Sequence, residues 1–70
     1  MSDEAIKEFI EFAIKYEISS FTICEDGLAK FVVHVTQIQE GDLMLIIRHL
    51  DGSVFESYSV TRTWEIKRRM

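Results

Sequence analysis

The sequence predicts an α+β domain: one N-terminal helix packed on one face of a four-stranded antiparallel meander, in the order αββββ. Three observations carry this. Apolar residues recur at three- and four-residue spacings as far as Tyr16. From Ser19 onward the period falls to two. Turns bearing Gly27, Gly41 and Gly52 then divide the remainder into four apolar segments. The chain has 70 residues, which make a single small domain spanning 1–70, with no visible linker or internal repeat.

The helix is expected over residues 2–17. Ser2 is placed to cap it, since its hydroxyl can accept from a free backbone N–H of the first turn, and Asp3 and Glu4 follow where the helix dipole favours negative charge. Ile6, Phe9, Ile10, Ala13 and Tyr16 or Glu17 form the apolar stripe, flanked by Ala5, Phe12 and Ile14. Lys7, Glu8, Glu11 and Lys15 share the solvated side.

The four strands take their registers from the turns. A three-residue loop Glu25-Asp26-Gly27 sets Cys24 opposite Leu28, Ile23 opposite Ala29 and Phe21 opposite Phe31. A loop Gln39-Glu40-Gly41 sets Val35 opposite Leu45 and Val33 opposite Ile47. Asp51-Gly52 suits a two-residue type I′ turn and sets His49 opposite Val54 and Leu45 opposite Tyr58. The run Leu43 to Leu50 is apolar on both sides, as a central strand with two covered faces would be. Phe21, Ile23, Phe31, Val33, Val35, Leu43, Leu45, Ile47, Tyr58 and Val60 then collect under the helix. Glu56 falls among them, a sign that the last strand carries a bulge. From Thr61 to Met70 the chain is expected to extend the last strand, with Arg62, Trp64 and Ile66 on one side; a short helix capped by Thr61 or Thr63 is the alternative.

The face that the helix does not reach points to function. It mixes apolar Val32, Met44, Ile46 and Phe55 with His34, Arg48 and small hydroxyls, as a surface meeting a protein partner or a second copy does. Val32, His34, Met44, Ile46, Arg48 and Phe55 are the expected contact residues. A chain this small, with neither disulfide nor metal staple, gains stability from self-association, so a homodimer is expected.

Composition narrows the alternatives. A net charge of −4 opposes nucleic-acid binding in general. The N-terminal segment is interrupted by Glu11, Lys15 and Glu17, so neither a signal peptide nor a membrane span is expected. The lone Cys24 suits a reducing, cytoplasmic setting. Cys24, His34 and His49 form no converging ligand set, so no metal or cofactor is expected. Ser57, Ser59, Cys24 and His34 share a face without a framing motif, and no catalytic role is expected of them.

The function expected is therefore a non-enzymatic protein–protein interaction module, a homodimer acting through its sheet face or sheet edge as an inhibitor or adaptor of another macromolecule. Phage anti-defence and anti-CRISPR proteins and small immunity proteins share this profile of size and charge. Two alternatives are carried by Arg62, Trp64 and Arg68 of the basic tail. One is a dimer that binds or sequesters a nucleotide-like anion. The other is a platform for single-stranded nucleic acid, gripped by stacking and positive charge.

Overall fold

A computed structural model describes residues 1–39 and 41–69. Helix α1 (Asp3–Tyr16) is followed by strands β1 (Ser20–Glu25), β2 (Leu28–Gln39), β3 (Asp42–His49), β4 (Val54–Val60) and β5 (Ile66–Arg68). The strands form one antiparallel sheet in the order β1-β2-β3-β4-β5.

The helix begins where the sequence places it. Ser2 Oγ accepts from the Ala5 N–H at 3.2 Å, and Asp3 and Glu4 occupy the first turn. It ends without a glycine. Glu17 sits in the left-handed region at φ 54°, while the Ile18 N–H donates to Ala13 O and the Glu17 N–H to Ile14 O, a Schellman closure that satisfies carbonyls the last turn leaves open. Ile6, Ile10 and Ala13 are buried against Val33, Val35, Leu45, Ile47, Tyr58 and Val60, with Phe9, Phe21, Ile23, Phe31, Leu43 and Ile66 packed around them. The expected stripe therefore holds as far as Ala13, but Tyr16 and Glu17 are exposed.

Phe55 apart, the expected faces survive although two of the turns differ from expectation. Asp26 and Gly27 both have positive φ, 52° and 77°, and form a two-residue hairpin loop between paired Glu25 and Leu28. That shifts the first pairs by one residue, Cys24 onto Ala29. A bulge at Lys30 then absorbs one more, so Ile23 meets Phe31 and Phe21 meets Val33. Two one-residue shifts restore the original side for every later residue. The β2–β3 pairs Val35–Leu45 and Val33–Ile47 are as expected. Glu40, assigned above to the loop between these strands, lies outside the described residues, as does Met70.

The third turn is the three-residue loop Leu50-Asp51-Gly52. His49 N–H donates to Ser53 O at 2.8 Å, the Gly52 N–H donates to His49 O at 3.0 Å, and Gly52 takes φ 95°. Asp51 Oδ1 fastens it by accepting from the Ser53 N–H at 2.8 Å and from Ser53 Oγ at 2.6 Å. These two hydrogen bonds hold the Asp51 carboxyl below its usual pKa. In consequence Arg48, not His49, pairs with Val54, and Phe55 is the extra residue of a bulge before Glu56 meets Ile47.

The C-terminal segment corrects the expectation most. It neither prolongs β4 nor forms a helix but turns back as a fifth strand, pairing Val60 with Ile66, Ser59 with Lys67 and Tyr58 with Arg68. The turn repeats the design at 49–53. Trp64 N–H donates to Thr61 O at 2.9 Å, and Thr61 N–H donates to Glu65 O at 3.0 Å. Trp64, at φ 65°, holds the place that Gly52 holds in the other loop. Thr61 Oγ1 adds a bond from the Glu65 N–H at 3.0 Å.

Candidate functional site

Pairing across five strands arranges the open face of the sheet as three rows. The first is Thr22, Val32, Arg48 and Val54. The second is Ser20, His34, Ile46, Ser57 and Arg69, and the third is Thr36, Met44, Ser59 and Lys67. The side chains alternate along each strand, so these residues share one side of the pleat while Val33, Leu45 and Ile47 face α1. Val32, His34, Met44, Ile46 and Arg48 are all half-buried, each covered by its cross-strand neighbours and by nothing from the helix.

Several side chains of this face are held in place. Arg48 Nη1 donates to Gly52 O at 2.8 Å, which draws the guanidinium toward the β3–β4 turn. Ser57 Oγ donates to the Met44 thioether at 3.4 Å, and Arg69 Nε donates to Ser59 Oγ at 2.9 Å. The two serine hydroxyls considered for catalysis are thus tied to a thioether and a guanidinium. Arg69 also fastens the chain end, its backbone N–H donating to Ser57 O at 2.7 Å.

The electrostatics of the face are one-sided. Arg48, Lys67 and Arg69 are its charged residues besides the titratable His34, and no carboxylate stands in the three rows. Asp42 shares this side of β3 but lies beyond them at the β2–β3 turn. The opposite surface of the molecule carries exposed Asp3, Glu4, Glu8 and Glu11 on α1. Folding back of β5 creates this asymmetry, since an extended tail would have carried Lys67 and Arg69 away from the sheet.

Phe55 does not belong to this face. The β4 bulge turns it to the other side, where it stacks on Phe31 with ring centroids 4.8 Å apart and meets His49 edge-on at 5.2 Å. Of the six residues expected at the interface, Val32, His34, Met44, Ile46 and Arg48 are brought together. Phe55 is not among them, and Lys67 and Arg69, for which no place on this face was expected, join them. The alternation Ile66-Lys67-Arg68-Arg69 after a threonine-bounded turn was the signal available for the two missed cations.

The tail residues Arg62, Trp64 and Arg68 are dispersed. Arg62 lies over the β2–β3 turn, where a Cβ on Gly41 would stand 2.6 Å from its Nε. Trp64 faces α1, with Lys7 Nζ 5.3 Å from the ring centroid. Arg68 Nη2 lies 3.2 Å from Glu56 Oε2 on the helix-covered side of the sheet. They frame no common ligand cavity, and no pocket exists among the described residues.

Among the described residues, Glu56 is the one carboxylate within the core. It is 5% exposed, lies 3.5 Å from the Met1 ammonium and is hydrogen-bonded by the Tyr58 hydroxyl. Burial works to raise its pKa, but the Tyr58 hydroxyl, the ammonium and Arg68 outweigh that and hold it below the ordinary carboxylate value. Burial and the same carboxylate push the Tyr58 phenol upward.

Among the described residues, no cluster of three or more His, Cys, Asp or Glu could hold a metal, and no helix is long and apolar enough to cross a membrane. No family model, curated protein or solved structure matches the chain.

Proposed function

We propose that this chain is a non-enzymatic interaction module, acting within the cell as an inhibitor or adaptor, whose open sheet face docks an acidic surface of another protein. The observation that carries this is the composition of the three rows: half-buried Val32, Met44 and Ile46 at the centre, Arg48, Lys67 and Arg69 around them, and no carboxylate, in a chain of net charge −4. An apolar centre with a charged rim is the layout of a protein interface, where the centre supplies affinity and the rim selects the partner. Single-stranded nucleic acid is less well served, because the aromatic side chains of this protein lie off this face and stacking has no platform there.

The test is affinity capture with three baits: wild type, Ile46→Glu and Arg69→Glu. The lysate comes from cells that express the chain, and retained proteins are quantified by mass spectrometry. An acidic protein enriched on the wild type and depleted at least tenfold on both variants, with their circular dichroism unchanged, supports the reading. Identical retention on all three baits overturns it, and loss of the retained material on nuclease treatment would assign the face to nucleic acid.

A further inference from the structure

The two edges of the sheet are guarded very differently. β5 is three residues long and carries Lys67 and Arg68, features that discourage another strand from adding there. β1 runs for six residues as Ser-Phe-Thr-Ile-Cys-Glu, with no lysine or proline, and its one charge stands at its end. Ser19 O accepts from the Val35 N–H at 2.8 Å, which fixes the phase of the ladder. Phe21 and Ile23, at the same phase, turn their backbone groups to β2, so those of Ser20, Thr22 and Cys24 point out from the free edge.

Beside that edge lies aromatic surface that the fold does not cover. Phe12 packs edge-on against Phe21 at 5.1 Å and against Tyr16 at 4.9 Å, yet Phe12 remains 44% and Tyr16 56% exposed. An unguarded edge flanked by exposed aromatics on the helix side is a surface for strand addition.

We infer that the occupant is a second copy of this chain, pairing β1 antiparallel with its own β1 about a two-fold axis at Thr22. The sequence of the strand is self-complementary at that centre. Thr22 meets the partner's Thr22 through its outward N–H and C=O. Phe21 meets the partner's Ile23 twice on the helix side, and Ser20 meets the partner's Cys24 twice on the open side. Moving the axis to Ser20 would set Phe21 against a serine. Moving it to Cys24 would set Ile23 against Glu25 and Thr22 against Asp26. Centring on Phe21 would pair the two Phe21 but set Ile23 against Ser19, and centring on Ile23 would set Phe21 against Glu25; only the Thr22 centre places both Phe21 and Ile23 against an apolar side chain and sets no charge against either. The product is a closed, isologous dimer with a ten-stranded sheet, in which the open faces of both copies lie on the same side. This pairing stands apart from the open-face reading, and its failure would leave that reading untouched.

Sedimentation equilibrium on the full chain at 10–200 µM (about the range over which weak dimers assemble) is the first measurement. The expected mass is about twice the 8.2 kDa of the chain. Thr22→Pro removes the outward N–H while sparing the β2 ladder, and is expected to give a monomer with unchanged circular dichroism. Ile46→Glu is expected to leave the dimer intact. The register is tested by Ser20→Cys, which places a thiol about 5.5 Å, Cα to Cα, from the partner's Cys24, within disulfide reach. Mild oxidation should then give a covalent dimer. The wild type should not cross-link, because its two Cys24 would stand about 14 Å apart. A monomeric wild type, a dimer lost in Ile46→Glu but kept in Thr22→Pro, or no cross-link in Ser20→Cys would overturn the inference. The cross-link decides the matter if Thr22→Pro fails to fold.

Discussion

Arg68 Nη2 stands 3.2 Å from Glu56 Oε2, and this contact ties the last strand to a carboxylate in the core beneath α1. Glu56 has a folded pKa below its ordinary value, so the unfolded chain binds more protons as the pH falls, and the stability that Glu56 contributes is lost through the acid range below about pH 4.5. Urea unfolding at pH 7 and pH 3 is expected to show a marked loss for the wild type and a smaller one for Glu56→Gln, which has no carboxylate to protonate at this position. Equal losses would refute the role given to Glu56.

Tyr58 works the opposite limit. Its pKa is raised in the folded state, so it favours folding below its ordinary value near 10 and that contribution fades as the pH rises beyond it. Tyr58→Phe removes a donor to a buried carboxylate and is expected to cost about 1.5 kcal/mol at pH 7. The variant should also unfold less steeply than the wild type between pH 9 and pH 11, which denaturant titration across that range would show.

Leu45 and Ile46 are neighbours with opposite duties, and truncation should separate them. Leu45 is fully buried under α1, so Leu45→Ala removes methylene groups from a closed site at a cost of about 3–5 kcal/mol. A domain of this size has only about 4–10 kcal/mol of total stability, so that variant is expected to be partly unfolded at 25 °C. Ile46→Ala, on the open face, is expected to lose less than about 1.5 kcal/mol and to remain folded. Guanidinium titrations of the two variants make the comparison.

Glu17 closes the helix at φ 54°, where a side chain is disfavoured and glycine is not. Glu17→Gly is expected to raise stability by about 1 kcal/mol, an increase of roughly 4–8 °C in Tm by calorimetry. An unchanged or lower Tm would show that another contact of Glu17 offsets the backbone cost.

Phe55 stacks on Phe31 rather than facing a partner. Phe55→Ala is expected to lower stability by about 1 kcal/mol, as loss of an aromatic pair does. It should leave open-face capture unchanged, in contrast to Ile46→Glu.

The helix and both faces of the central strands are legible in the sequence because period alone decides them: 3.6 through Ile6, Ile10 and Ala13, and two through Val33, Val35, Leu45 and Ile47. The open face is legible for the same reason at Val32, His34, Met44, Ile46 and Arg48. The β4 bulge is signalled by Glu56 falling among the core residues, but nothing at Lys30 or Phe55 marks where a bulge sits, since neither position carries a glycine or any residue that demands a kink. The last turn is hidden by substitution. Its left-handed corner is filled by Trp64, where the matching corner of the β3–β4 loop has Gly52. Without a glycine to mark the reversal, β5 reads as a continuation of β4, and Lys67 and Arg69 are not assigned to the face they occupy.

Lys30 and Phe55 both lie near the end of the sheet that carries the β1–β2 and β3–β4 turns. Each takes up a residue locally, so chain length can change at that end without exchanging inside for outside in the strands beyond. The bulges act as slack in an otherwise rigid two-residue repeat. This makes the hairpin tips around Asp26 and Asp51 the natural places to graft a foreign peptide or reporter tag, leaving both the core and the three-row face where they are.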